Sequence, residues 1–89
     1  MAKLLLTAQF MDDTRTIWSP RVKKHLVRLL SMIESFPESG LPNIPSSLVE
    51  EFGPSIRKCP IDLYYLIYEY DSELDVVAVY GLVPQRSAH

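Results

Sequence analysis

The sequence is poor in cysteine, poor in glycine, and has no long apolar run: one cysteine and three glycines in 89 residues. Each shortage removes a class of protein. A lone Cys59 closes no internal disulfide, which suits a reducing compartment. The glycines stand apart at positions 40, 53 and 81, so no glycine-rich loop cradles a phosphate. His25, His89 and Cys59 lack metal-ligand spacing, and neither a metal nor another cofactor is expected. No segment approaches the roughly 20 apolar residues that span a bilayer. Met1 to Leu6, with one lysine and three consecutive leucines, is too short for a signal-peptide core. A soluble, cytoplasmic protein without membrane contact is expected.

What is present is ordinary globular material, 47% apolar and 22% charged residues, enough for one domain over residues 1–89. The net charge of −2 argues against a dedicated electrostatic nucleic-acid binder, but it conceals a division. Residues 1–36 carry six cations against three carboxylates; residues 37–89 carry three cations against eight carboxylates.

Lys3 to Thr7 reads as a short strand. Phe10, Thr14, Ile17 and Trp18 then share one face at helical spacing, with Asp12 and Asp13 placed to meet the dipole near the helix start. Ser19 followed by Pro20 is the signature of a new helix, serine at the N-cap and proline at the first helical position. Val22, Leu26, Leu29, Leu30, Ile33 and Phe36 form one apolar stripe along it, and Arg21, Lys24 and Arg28 form a basic ridge on the other side. Four prolines and two glycines make residues 37–54 mostly loop, with one helical turn predicted where Ser47 and Glu50 match a capping box and Leu48 and Phe52 face the core. Three strands follow, Ser55 to Ile61, Leu63 to Tyr70 and Leu74 to Val83, the last two joined by a turn at residues 70–73. Pro60 has no N–H to donate, which places the first of these at a sheet edge or on a bulge.

The order predicts an α+β fold, β-α-α-β-β-β, in which a small antiparallel or mixed four-stranded sheet carries an N-terminal helical hairpin on one face. Both faces of the late strands are apolar. Leu63, Tyr65 and Ile67 oppose Tyr64, Leu66, Tyr68 and Tyr70; Val76, Ala78 and Tyr80 oppose Val77 and Val79. The two helices can cover only one face, so a partner segment across the sheet or along an edge is expected, touching Tyr65, Ile67 and Tyr80; self-association and tyrosines that tolerate a wet surface are the alternatives.

Arg57, Lys58, Gln85, Arg86 and His89 are the polar residues that could converge, the cations holding a phosphate and His89 or Tyr80 moving a proton. The alternative reading is structural: Arg57 and Lys58 blunt an edge strand, Arg86 ends a strand, and His89 is a chain terminus. Cys59, beside Pro60, reads as a small packed side chain.

Four strings carry a further signal: Phe36-Pro37-Glu38-Ser39-Gly40, Phe52-Gly53-Pro54-Ser55-Ile56-Arg57-Lys58, Tyr64-Tyr65-Leu66-Ile67-Tyr68-Glu69, and Val79-Tyr80-Gly81-Leu82-Val83-Pro84-Gln85-Arg86. Together they resemble the RelE/ParE toxin superfamily of bacterial toxin–antitoxin modules. The resemblance implies a compact sheet with a helical hairpin and a cognate antitoxin that wraps it, DNA being contacted only through the antitoxin. In the RelE-like branch it implies metal-independent cleavage of messenger RNA on the ribosome, with Arg57, Lys58, Arg86 and His89 in positions similar to the catalytic cluster. Arg21, Lys24 and Arg28 are then candidates for RNA or ribosome contact. In the ParE-like branch it implies binding to DNA gyrase without chemistry; a degenerate member would bind only its antitoxin. Tyr65 stands where the nucleases of the family usually carry an arginine, which removes one phosphate contact. The acidic second half also opposes RNA.

Overall fold

A computed structural model describes residues 1–17 and 19–87. The elements are β1 (Lys3–Leu6), α1 (Ala8–Arg15), α2 (Pro20–Ser35), α3 (Ser46–Phe52), β2 (Ile56–Ile61), β3 (Tyr64–Asp71), β4 (Val76–Pro84) and a final 3-10 turn (Gln85–Ser87). The strands form one mixed sheet in the order β1-β4-β3-β2, with β1 parallel to β4 and the other pairs antiparallel. This is the predicted α+β architecture, with the predicted helical turn lengthened into the helix α3.

Local chemistry explains most boundaries. Ser19 caps α2, its Oγ accepting from the Val22 N–H at 3.4 Å, and Pro20 opens the helix. Leu26 and Ile33 of the stripe are buried, with Val22, Leu29 and Leu30 packed beside them. Phe36 leaves the stripe. Pro37 disfavours helical backbone at the preceding residue, so α2 stops at Ser35 and Phe36 stays 67% exposed. Trp18, expected on the first helical face, lies outside the described residues.

Thr7 belongs to α1 rather than to the strand before it. Its Oγ1 accepts from the Phe10 N–H as an N-cap and donates to the Val79 carbonyl at 2.9 Å, tying α1 to the sheet. The carboxylates do not serve the helix start as expected, because α1 begins at Ala8 and Asp13 falls in its second turn. Asp13 Oδ2 instead accepts from the Leu82 N–H at 2.9 Å. β1 pairs with β4 only as far as Val79, and α1 supplies partners to the length of β4 beyond it.

The β3–β4 turn comes later than the sequence suggested. β3 continues to Asp71, whose Oδ1 accepts from the N–H groups of Glu73 and Leu74, and Asp75 closes the turn at φ 53°. Tyr68 pairs with Val79 but Ile67 with Gly81, which leaves Tyr80 as an extra residue on β4. This bulge resets the alternation, so Val77, Val79 and Leu82 face α1 and α2 while Tyr80 and Val83 face away.

The expectation that the far face awaits a partner is overturned over much of its area. Leu48, Ile56 and Ile67 are buried there as a second core, with Ile44, Phe52, Tyr65, Tyr80 and Val83 packed against them. The proline-rich segment makes this possible by crossing the β2 edge, where Leu41 and Lys58 exchange two backbone hydrogen bonds of 2.8 and 3.0 Å. It then lays α3 over the sheet. The helix starts at Ser46 behind Pro45, its N-cap, whose carbonyl accepts from Leu48 and Val49, so the predicted cap at Ser47 is two positions late. Pro60 does sit on an edge strand, as its missing donor requires.

Leu48 is 3% exposed and Ile67 fully enclosed, so α3 is a structural lid on the second core. Leu48→Ala is expected to lower stability by about 2–5 kcal/mol in urea titration and to increase binding of a hydrophobic dye. An unchanged midpoint would show that α3 does not seal this face.

Candidate functional site

The chain crosses from α2 to the far face under the control of one buried side chain. Tyr68 is fully enclosed, and its hydroxyl donates to the Pro37 carbonyl and accepts from the Gly40 N–H, both at 2.8 Å. No larger residue fits at position 40: an added Cβ would lie 2.8 Å from the Tyr68 ring and 2.9 Å from the Arg57 Cβ. Arg57, directly across the ladder from Tyr68, completes the clasp by donating from Nη1 to the carbonyls of Glu38 at 3.1 Å and Gly40 at 2.9 Å.

This separates two residues expected to act together. Arg57 points to the helical side of the sheet and holds backbone carbonyls. Lys58 pairs with Ile67 and points to the far side, its Nζ lying 4.7 Å from the centre of the Tyr65 ring. Arg86 is exposed in the turn after β4, two strand spacings or roughly 10 Å across the sheet from β2, and it lies five residues beyond Gly81, the β4 residue level with Lys58. His89 lies outside the described residues. Arg57 is therefore not assembled with Lys58 into one phosphate clamp.

Of the three residues expected to meet a partner, Ile67 is enclosed under α3 and presents nothing. Tyr65 and Tyr80 are half-buried. Tyr65 lies beneath Lys58; Tyr80 stacks on Phe52 with ring centres 5.9 Å apart, and its hydroxyl is 3.5 Å from Glu69 Oε1. Burial, with the Glu69 carboxylate second, pushes the Tyr80 phenol above its ordinary range. Arg21, Lys24 and Arg28 are exposed along α2 as the ridge predicted, while His25 beside them meets Asp62 at 3.1 Å. Among the described residues no His, Cys, Asp and Glu side chains gather as a metal-ligating group, and no helix is long and apolar enough to cross a membrane.

Sequence reasoning missed Gly40 and Tyr68 as a pair. The available signal was general: a tyrosine at a core-facing strand position requires a partner for its hydroxyl. It also missed the placement of Gln85, whose Nε2 donates to the carbonyls of Asp62 and Tyr64 and braces the β2–β3 turn.

No protein-family model matches the sequence, and no curated protein matches it. Among solved structures, a chain of the intact RelBE toxin–antitoxin complex of E. coli is similar over 94% of this chain and 96% of its own, with a TM-score of 0.71 and 18% sequence identity. The chain shares the fold of that chain, an α+β fold built on a mixed four-stranded sheet. Within that fold, the strings that resembled the family here include fold-building residues. Gly40, Arg57 and Tyr68 form the clasp, and Gly81 lies close under α1, where a Cβ would be 2.8 Å from Asp13 Oδ2.

The clasp yields two expectations. Tyr68→Phe strands the Gly40 N–H and the Pro37 carbonyl and is expected to cost about 1–3 kcal/mol in urea titration. The second concerns pH. Burial first, and for Tyr68 the neighbouring Cys59 second, raises the Cys59 thiol above its ordinary 9.0 and the Tyr68 phenol above 10.0. The unfolded chain then loses these protons at lower pH than the folded one. The resulting stabilisation is complete below pH 9 and is lost as pH rises through the raised folded values. The urea midpoint should fall above pH 9, and Cys59→Ala should make that fall shallower.

Proposed function

We propose that this chain is the toxin-type component of a two-protein toxin–antitoxin module, acting in the cytoplasm as a single domain over residues 1–89, and that its defining property is to bind a cognate antitoxin polypeptide. The observation that carries the reading is the similarity, along 94% of the chain, to a chain of the RelBE toxin–antitoxin complex. Exposed apolar side chains support it: Leu5, Leu6 and Met11 are uncovered along β1 and α1, and β1 is an edge strand of the sheet. DNA contact, on this reading, passes through the antitoxin.

Within that role, action by binding is favoured over phosphate chemistry. The Arg57 guanidinium is engaged by two carbonyls, and on the sequence resemblance Tyr65 replaces an arginine that would contact phosphate. That preference covers both a gyrase poison and a member that only binds its antitoxin. Ribosome-dependent, metal-independent cleavage of messenger RNA is the second reading. Lys58 on the far face and exposed Arg86 favour it, with His89 as a proton carrier and Arg21, Lys24 and Arg28 as ribosome contacts.

Induced expression separates the readings. Cleaved messages and halted translation, reduced about 100-fold by Lys58→Ala or Arg86→Ala, would establish the nuclease; filamentation with arrested replication would identify gyrase. For the partner, the product of the adjacent reading frame is expected to raise stability by about 2.7 kcal/mol when present at 100 times its Kd. Unchanged thermal unfolding on mixing would remove the toxin reading.

A further inference from the structure

At the end of α2 opposite the basic ridge lies an open cavity of about 460 Å³ lined by Phe36, Pro37, Glu38, Ser39 and Tyr70. Its composition is unusual for a surface. Phe36 is 67% exposed although it follows the apolar stripe, so one large ring stands in water at the rim. The Tyr70 ring forms part of the lining, held in place by its hydroxyl donating to Asp75 Oδ1 at 2.7 Å. The wall is rigid on one side, because the Pro37 carbonyl is fixed by the Tyr68 hydroxyl and the Glu38 carbonyl by Arg57. Glu38 adds a carboxylate to the rim.

We propose that this cavity is a docking site for an arginine side chain carried on a basic segment of a partner polypeptide. A guanidinium is planar and weakly hydrated, stacks on aromatic faces, and presents a fork of donors to a carboxylate. Two rings with Glu38 meet both requirements. The surrounding charge is complementary. The hydrogen bond to Asp75 first, desolvation second, and then the charges of Asp75, Glu38 and Asp71 raise the Tyr70 phenol above the ordinary range, and every charged group among these causes is a carboxylate. Lys3 is placed at the same end by the β1–β4 register but is not among them. Identifying the polypeptide with an antitoxin rests on the preceding reading; the preference of the cavity for arginine does not.

The test is an NMR titration of the isotope-labelled chain with an eight-residue oligo-arginine peptide, alongside the same peptide with neutral citrulline at every position. Saturable shifts confined to the amides of Phe36, Glu38, Ser39, Tyr70 and Asp75, absent with citrulline, are expected. Phe36→Ala and Glu38→Gln, both at exposed positions, should each weaken binding at least fivefold while leaving the circular dichroism spectrum unchanged. Shifts spread equally over Glu50, Glu51 and Glu73 would overturn the proposal, as would variants that bind like the parent. Choline binding at these residues more tightly than the peptide would also overturn it, assigning the cavity to a small quaternary ammonium. The titration uses only the chain and a peptide, so its outcome is independent of whether the chain arrests growth.

Discussion

The buried hydroxyl of Tyr68 governs how the two halves of the chain meet. In the core it must be satisfied, and it takes the Pro37 carbonyl and the Gly40 N–H, at the point where the chain leaves α2. Satisfying it presses residues 37–40 against β2, where Arg57 grips the same loop and Leu41 pairs with Lys58. The chain is then committed to cross the β2 edge. That crossing delivers Ile44 and α3 to the far face and closes a second core over Ile67. One phenol, placed on the middle of three antiparallel strands, thus couples the helical hairpin to the lid on the opposite side.

This coupling changes what the surface offers. A sheet apolar on both sides suggested a broad face for a partner, but α3 occupies much of it, leaving Tyr65 and Tyr80 half-exposed and already engaged with Lys58, Phe52 and Glu69. Cations and carboxylates are also segregated. Arg21, Lys24 and Arg28 line the outside of α2, whereas Glu38, Asp71 and Asp75 gather at its far end and the β3–β4 turn. Segregation of this kind orients an approaching charged partner before contact, and acts over about one Debye length.

Much of the fold was legible because local signals and global packing agree. Ser19-Pro20 starts a helix by chemistry that needs no tertiary context, the stripe from Val22 to Ile33 has a single buried face, and Pro60 bars β2 from the sheet interior. The candidate site was less legible. Arg57 and Lys58 are adjacent in sequence, yet strand alternation sends them to opposite faces, and the partners that occupy Arg57 lie 17 and 19 residues away. Asp13 looked like a helix-dipole residue and is instead an acceptor for β4, 69 residues on, because β1 is too short to pair that edge.

Period, proline placement and capping chemistry by themselves determined the element types, their order and the mixed α+β class, since these depend on residues within a turn or a strand of one another. Tertiary structure alone decided three things. The bulge at Tyr80 set which β4 residues face the helices, the loop crossing at Leu41 decided that the protein seals much of its own far face, and the Tyr68 clasp fixed the role of Arg57. Each depends on a hydrogen bond between groups distant in the chain, whose direction no local pattern encodes and which forms only because a buried polar group must find a partner.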